Sequence, residues 1–563
     1  MAASDGASPP PRSRTERPPM PATPALHSRR DVLRLGAGLA GVALLSAACR
    51  DGSPAAPELQ LRESSASGAP PRGGVLRIAA PGGDTQHTAS PRARDVLRRA
   101  LTYSQLVALD PRSALLYGDL ASKLELPDPL TVRFTLRREL RFHPDGGGLA
   151  AALTAADVRA DLEARAAAGE YLPTQVIARV ETPDQQTVVL RLRGPFSLLF
   201  EFLADPASGA VRAKVRSPRD GEPLGSGPFV PAGQPGQPGG APFARNELYH
   251  RRELPRLDGV VVRDVDDERA AADAFARAEV DLHVHAPGAV VQSGERAAAT
   301  LRRGGFALIG LGLSLLPEKG GRAVRSVTAF QDRRVRRAVS VALDRGRLAA
   351  LAAGAVTGPV GPAHAADALP AEELAAHPLY RQQPAEARAL LGAAGHSGLA
   401  LRLQAPNQSE LAALAREVER QLNDAGFAAA LQLVDAREWE RNFRAGDFEA
   451  TVFRVEGLRT PDLGLREHTA AGLEGGFSPW GYSNPVYDAA VRAALSELDP
   501  TRRAQRSREA QRTLLEDVPA MFPLAVPWQQ ASTVPSLRAY EFDGYGFNDG
   551  WLAARWGLSP SGG

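Results

Sequence analysis

The chain of 563 residues is poor in sulfur, with one cysteine and three methionines. One cysteine cannot form an intramolecular disulfide, and it supplies too few thiolates for a cysteine-based metal site. The formal net charge is only +3 and the arginines are spread along the chain, so no basic face indicates nucleic-acid binding. A Gly-x-Ser-x-Gly elbow and a His-Glu-x-x-His pair are also missing from the sequence. We therefore expect neither an enzyme nor a nucleic-acid partner.

The one cysteine, Cys49, follows a short apolar run that begins after the twin arginines Arg29 and Arg30. A basic segment, an apolar stretch and small residues before a cut site are typical of a secretory signal, and paired arginines indicate the Tat route. A cysteine at this place resembles a bacterial lipoprotein signal, in which the thiol is acylated. This resemblance implies a protein lipid-anchored at the extracytoplasmic face of the bacterial cell membrane, in the periplasm or at the cell surface.

An uncleaved membrane anchor is the alternative interpretation of the same segment. The apolar run has about fourteen residues, fewer than the roughly 20 needed to span a bilayer. No later apolar stretch reaches 18 residues. We assign residues 1–48 to the signal and residues 49–72 to the lipidated cysteine and a flexible tether, since the latter segment is rich in Pro, Ser and Gly.

Beyond residue 73, strand and helix patterns alternate without segregating, which predicts an α/β protein. Short blocks of residues then spell a known family. The chain resembles the peptide/nickel/opine class of extracytoplasmic solute-binding proteins of ABC transporters, family 5. The blocks that carry the resemblance, in the family's order, are 131–143, 153–158, 223–229, 245–249, 255–258, 330–338, 342–345, 384–391 and 481–488.

The resemblance implies a two-lobed periplasmic-binding-protein-like fold with a hinge. It places lobe I at 73–304 with an extra subdomain near 111–185, lobe II at 305–520, and a return to lobe I at 521–563. It also implies capture of a small, peptide-like solute, delivery to ABC permease subunits, a monomer and no cofactor. The alternatives are a non-transport receptor or chaperone-like binder of the same fold and, after it, a secreted enzyme.

Peptide-binding relatives in this family often meet the ligand's amino terminus with an acidic residue in a second-lobe block. The matching stretch here is 453–462, where Leu458 stands near the usual acid. Glu456 or Asp462 could take its place, and Arg459 could instead meet an anionic group. The alternative for each is a solvated loop charge or a turn residue.

Four further residues are ligand-binding candidates by their place in the family's pattern. Thr85 and Gln86 follow the first strand, Tyr103 lies on the next helix, and Trp480 precedes a loop that often reaches the cleft. An exposed Trp480 ring could stack on a ligand, whereas a core or interlobe role is the alternative.

Two histidines, His283 and His285, alternate on a predicted strand and therefore share a face. Two histidines are too few for a closed metal site, and no third ligand is evident nearby in the sequence. We expect a solvated strand face and no metal.

Other positions in these blocks have structural interpretations. Gly225 and Gly227 suit a turn with unusual dihedral angles. Thr154 and Asp332 can cap the helices that follow them, and Arg336 and Arg345 can pair with acids on neighbouring elements.

Overall fold

The computed structural model describes residues 58–59, 61–62, 70–81, 93–110, 113, 115–206, 208–217, 221–233, 239–265, 268–285, 299–316, 318–319, 322–323, 328–455, 460–470, 479–542 and 548–559. The chain divides into a unit of residues 1–51, which lies outside this range, and a unit of residues 52–563. The signal, with Arg29, Arg30 and Cys49, therefore lies outside the described residues. Within the described ranges, no helix has the length and apolar character needed to cross a membrane.

The strands and helices alternate along the chain. In the first part they are β1 (Glu58–Leu59), β2 (Val75–Pro81), α1 (Ala93–Thr102), β3 (Val107–Asp110), β4 (Leu115–Gly118), β5 (Ala121–Asp128), β6 (Thr131–Leu136), α2 (Ala155–Ala167), β7 (Ile177–Glu181), β8 (Thr187–Leu192), α3 (Leu199–Ala204), β9 (Phe229–Pro231), β10 (Ala241–Arg245), β11 (Gly259–Val265), α4 (Glu268–Ala276) and β12 (Leu282–Val284).

The second part continues with β13 (Ala299–Gly304), β14 (Leu308–Leu313), β15 (Glu318–Lys319), β16 (Arg322–Ala323), α5 (Arg333–Ala342), α6 (Arg345–Leu351), β17 (Gly354–Ala355), α7 (Ala371–Ala376), α8 (Pro384–Ala393), β18 (Ala400–Pro406), α9 (Ser409–Asp424), β19 (Ala428–Val434), α10 (Ala436–Ala445), β20 (Ala450–Val455), α11 (Pro461–Arg466), α12 (Pro485–Leu495), α13 (Pro500–Asp517), β21 (Met521–Thr533), β22 (Leu537–Arg538) and β23 (Gly557–Leu558). The predicted α/β class is confirmed.

A mixed sheet of 12 strands organises the molecule, in the order β19-β18-β20-β14-β21-β12-β2-β11-β10-β9, with β13 and β17 also paired to β21. The strand β2 runs parallel to β11 and β12, and β18 runs parallel to β19 and β20. The long strand β21 joins these two groups, because it pairs antiparallel with both β12 and β14. Nearly every side chain of β21 is buried, as expected for a strand covered on both faces.

Hydrophobic side chains collect in separate clusters rather than in one core. One lies around β14, α5, α9 and β18 to β20, and another around β2, β11, β12 and the end of β21. A third fills the space under the five-stranded sheet β1-β5-β6-β8-β7 and beneath α2. Thr154 begins α2 with a capping box to Asp157, and Asp332 caps α5 by accepting a hydrogen bond from the backbone of Arg334, so both predicted caps are confirmed.

Two structural expectations are wrong: the reason for the two glycines at 225 and 227, and the partners of the two arginines at 336 and 345. Neither Gly225 nor Gly227 has a positive φ; instead the backbone of Thr102 lies so close that a Cβ would collide with it. Among the described residues, neither Arg336 nor Arg345 forms a salt bridge with an acid. Both buried guanidinium groups donate to backbone carbonyl oxygens, Arg336 to Val518 at 2.8 Å and Arg345 to Leu379 at 2.9 Å.

Candidate functional site

A cleft opens beside the connection between β13 and β14, where the chain passes from one part of the large sheet to the other. It is lined by Gly305 to Leu308, by part of the segment 359–364, by the first residues of α11 and by Val526 of β21. The strand β20 ends just before this helix. The cavity volume here is small, about 10 Å³. Ligands of α/β proteins commonly bind at the carboxyl ends of sheet strands, so this place is a candidate binding site.

The walls of the cleft approach each other closely because small residues stand at the contacts. A Cβ on Gly464 of α11 would collide with the backbone oxygen of Pro359. On the opposite side, the Phe306 and His364 rings meet edge to face with their centroids 5.1 Å apart. The cleft is thus formed by tightly packed backbone with two aromatic rings at its side.

Asp462 lies in the first turn of α11, whose residues Pro461 and Gly464 line the cleft. Its side chain is only 5% exposed, and one carboxylate oxygen, Oδ2, lies 2.9 Å from Nε of Arg466 one turn later. The other oxygen, Oδ1, is buried and has no hydrogen-bond partner among the residues that the structure describes. A buried carboxylate with one unsatisfied oxygen is costly unless a donor reaches it, and a ligand can supply that donor.

An aromatic group from the first part of the chain faces the same helix. Tyr171 contacts the Phe196 and Phe202 rings, with centroid separations of 6.3 and 5.6 Å. Burial raises the pKa of Tyr171, and the charges of Arg466 and Asp462 also act on its hydroxyl. The side chain remains 42% exposed. Tyr171 therefore lies close enough to α11 for the charges of that helix to act on its hydroxyl.

Two ionisable residues directly after α11 are buried without compensation. Burial raises the pKa of Glu467 to about 8 and lowers the pKa of His468 to about 3, so both are neutral at pH 7. Within the described part of the chain, Oε2 of Glu467 and both ring nitrogens of His468 lack hydrogen-bond partners. Such groups cost free energy and cluster at functional sites.

The predicted ligand residues lie in different surroundings in the structure. Trp480 is fully buried, packs on Phe453 and Phe443, and donates from Nε1 to the backbone oxygen of Glu467 at 2.9 Å. This placement is the core alternative, so its ligand role stays a prediction without support from exposure.

Tyr103 is also buried, and its hydroxyl donates to the backbone oxygen of Pro223 at 2.9 Å. Among the predicted residues that the structure describes, Asp462 is the one on the helix that lines the cleft. Thr85, Gln86, Glu456 and Arg459 lie outside the described residues.

Sequence reasoning missed Tyr171, Glu467 and His468, because no motif marks them and their significance depends on tertiary burial. The expectation of a solvated face for His283 and His285 is wrong. Both rings are buried, and their centroids are 3.9 Å apart. They do share one face, as their spacing predicts, and Glu268 of α4 reaches both of them.

Comparison with known proteins identifies the class of this fold. Residues 116–463 match the family of bacterial extracellular solute-binding proteins, family 5, middle region. The match spans most of the chain and includes the cleft up to α11. The chain belongs to this family. It is thus an extracytoplasmic solute-binding protein that captures a solute for ABC import, and proteins of this family are binders.

Curated relatives and solved structures agree with this family 5 assignment. The glutathione-binding protein GsiB of Salmonella choleraesuis is 26% identical over 429 residues, covering 71% of this chain and 78% of its own length. HbpA2 of Haemophilus parasuis has a TM-score of 0.69 at 17% identity, covering 86% of this chain and all of HbpA2. The oligopeptide-binding protein AppA of Bacillus subtilis has a TM-score of 0.55 at 18% identity, covering 87% and 100%. The predicted two-lobed fold is confirmed.

Proposed function

We propose that this protein captures a peptide-like solute in the cleft beside α11 and delivers it to an ABC permease. Relatives named for glutathione binding, and a structural neighbour solved with a nonapeptide, support a peptide-like ligand. The observation that carries the proposal is Asp462, a buried carboxylate on the helix that lines the cleft, with one oxygen that has no hydrogen-bond partner among the described residues. A peptide's ammonium group supplies such a donor, and a charge-assisted hydrogen bond is among the strongest contacts available.

The surroundings of Asp462 suit an ammonium more than a neutral polar group. Arg466 lies 2.9 Å from Oδ2, and Oδ1 has no partner among the described residues, so a ligand cation could reach it. The Phe306 and His364 rings offer apolar surface for a peptide side chain or backbone. The usual family acid is replaced near Leu458, so Asp462 would perform its role four residues later, with Glu456 and Arg459 as further contacts.

The proposal includes the lobe division 73–304, 305–520 and 521–563, with the extra subdomain near 111–185. Closure of such lobes would enclose the solute and present one form to the permease. Tyr171 and α11 belong to different lobes in this division, so their electrostatic contact would be sensitive to closure. We also propose that the protein acts as a monomer without catalysing a reaction on the solute.

Lipid anchoring at Cys49 completes the proposal. An acylated Cys49, followed by the tether up to residue 72, would keep the binding lobes near the membrane while allowing them to reach a permease. Fractionation tests this: Cys49→Ala should move the protein from the membrane to the soluble fraction, and Arg29→Lys with Arg30→Lys should block export. Unchanged membrane retention of the Cys49→Ala variant would refute acylation there.

Ligand binding is tested on the full chain in detergent by thermal shift, followed by calorimetry. Di- to decapeptides, glutathione, and the same peptides with acetylated amino termini form the panel, with oligosaccharides and metal chelates as other classes. A ligand that binds only the folded state raises the melting temperature by mass action. We expect free-amine peptides to raise it and acetylated ones to have little effect. Equal shifts from both would remove the role of Asp462, and no shift from any peptide would refute the peptide assignment.

A further inference from the structure

A compact group of metal-binding side chains lies in the part of the large sheet formed by β2, β12 and β21, separate from the cleft. Glu268, His283 and His285 each offer one ligand atom, and these atoms lie within 4.8 Å of one another. Oε1 of Glu268 is 2.8 Å from Nδ1 of His285 and 3.2 Å from Nε2 of His283. Both imidazole nitrogens therefore converge on one carboxylate oxygen.

The geometry is unusual for a set of simple hydrogen bonds. Nε2 of His283 is buried and makes no hydrogen bond of acceptable geometry to any residue in the described part of the chain, although it points toward Glu268. One carboxylate oxygen is thus approached by two ring nitrogens, and only one of them is well bonded to it. A cation between the three atoms would satisfy all of them at once, because imidazole and carboxylate are common ligands of zinc and similar ions.

A neighbouring hydroxyl group is placed to orient one of these ligands. Nε2 of His285 lies 2.8 Å from Oγ of Ser532 on β21. If Nε2–H donates to that oxygen, the lone pair is on Nδ1, which faces Glu268 and the candidate ion. Metal-bound histidines are commonly fixed by a second hydrogen bond of this kind, which sets the tautomer and the ring orientation. Ser532 can equally donate to Nε2 in a metal-free state, so it serves both states.

The elements that carry the group are rigid. His283 lies on β12, which pairs with both β2 and β21, and its partners in register are Ala79 and Ser532. Glu268 lies in the first turn of α4, which packs on the same strands. A site held by a strand and a packed helix keeps its ligands in place without a bound ion.

We propose that Glu268, His283 and His285 bind one divalent transition-metal ion of the zinc class, with a fourth position left to water. Three protein ligands with an open position are the arrangement of solvent-accessible zinc sites, in contrast to closed structural sites with four. The site shares no residue with the solute cleft, so the proposal of metal binding can fail without affecting the proposal of peptide binding.

Calorimetric titration of the full, tag-free chain with zinc chloride tests the proposal, after treatment with a chelator. We expect one zinc ion per chain. Glu268→Gln and the His283→Gln, His285→Gln double variant should abolish this binding event, and Ser532→Ala should weaken it about tenfold or more, as loss of an orienting contact does. X-ray absorption of the loaded protein should show nitrogen and oxygen ligands at about 2.0–2.1 Å.

The matched control is His250→Gln, which removes another buried histidine, 3.2 Å from a carboxylate oxygen of Asp119 but outside any metal-ligating group found among the described residues. Zinc binding should survive in this variant. Circular dichroism and thermal unfolding verify that each variant is folded, and Glu268→Gln preserves side-chain size in case the double variant is unstable. Absence of stoichiometric zinc binding by the parent chain, or its persistence in folded Glu268→Gln and in the double variant, would overturn the proposal.

Discussion

Two buried groups of ionisable side chains behave in opposite ways in this molecule. Arg503 of α13 lies between two acids, with Nε and Nη2 each 3.2 Å from a carboxylate oxygen of Asp367 and Nη1 in contact with Glu201. Burial opposes its charge, yet Glu201 and Asp367 raise the pKa of Arg503 above its ordinary value. Glu467 and His468, equally buried, have only burial acting on their pKa values.

The difference distinguishes a group that joins elements of the fold from a group that lies next to the cleft. The Arg503 group joins Glu201 of α3 in the first part of the chain to α13 and Asp367, and each acid is paired with the guanidinium, although Oε2 of Glu201 has no partner among the described residues. The Glu467 and His468 pair directly follows the helix that lines the cleft, and its polar atoms lack partners in the described ranges. Buried polar groups that remain unsatisfied reduce stability, so their presence beside a cleft is the pattern expected of a binding site.

Breaking the paired group should have the largest effect on stability. Arg503→Met leaves the buried acids Asp367 and Glu201 without their cation, and we expect the free energy of unfolding to fall by about 3–5 kcal/mol. Urea unfolding at pH 7 measures it. The control is Arg506→Met on the same helix, whose partner Glu497 is 3.4 Å away and whose side chain is half-exposed. That variant should lose about 0–1 kcal/mol. Equal losses would show that the Arg503 pairs contribute little.

Replacing the buried Glu467 with glutamine, which cannot ionise, should instead stabilise the protein relative to the parent, increasingly so as pH rises. Unfolded chains release the Glu467 proton near the ordinary value of 4.5, whereas the folded protein holds it to about pH 8. Unfolding therefore releases a proton in this window, and the parent protein loses stability as pH rises through it. Glu467→Gln removes that loss, so the variant should gain about 1.4 kcal/mol per pH unit over the parent between pH 6 and pH 8.

The control for this titration is Glu372→Gln, a change at an exposed residue of α7. If the difference between Glu467→Gln and the parent is no steeper with pH than the difference for this control, the Glu467 carboxyl is solvated or paired in solution, and the contrast with Arg503 is lost.

The packing around the Trp480 ring should be disrupted by a single added methyl group. A Cβ on Gly312 of β14 would overlap the Trp480 ring, whose Nε1 holds the backbone oxygen of Glu467. Gly312→Ala should therefore cost about 1–3 kcal/mol by overpacking. The matched control is Gly194→Ala, because no atom lies within 4 Å of the added Cβ there. Thermal unfolding compares the two, and an unaffected Gly312→Ala would place Trp480 outside the core.

Removing the charge of Asp462 should affect binding more than folding. Asp462→Asn preserves the size of the side chain but loses a charge-assisted bond to the ligand's ammonium, worth about 1.5–3 kcal/mol, which corresponds to roughly 10- to 100-fold in affinity. Calorimetry with the best-binding peptide of the panel measures this. Asp435→Asn is the control, since Asp435 caps α10 and asparagine caps equally well. Unchanged affinity in Asp462→Asn would transfer the ammonium contact to another residue.

The sequence predicted the α/β alternation, the caps at Thr154 and Asp332, and the family, because these depend on local pattern and on ordered motifs. Asp462 could be named as a ligand candidate because it stands in the block that matches the family's ligand acid, and its ligand role stays a prediction. Contacts between residues far apart in the sequence could not be predicted from it. Glu268 joins His283 and His285 only because α4 packs on β12, and the cost of burying Glu467 and His468 depends on how the chain encloses them.

The central claim is that the cleft beside α11 holds a peptide-like solute through its free amine. Native mass spectrometry of the full chain, extracted gently from its own membranes, tests this most directly by identifying the solute that accompanies the protein. We predict one peptide-like molecule with a free amino group per chain, absent from the Asp462→Asn variant. A bound solute without an amine, or no bound solute together with normal peptide uptake in a deletion strain, would contradict the claim.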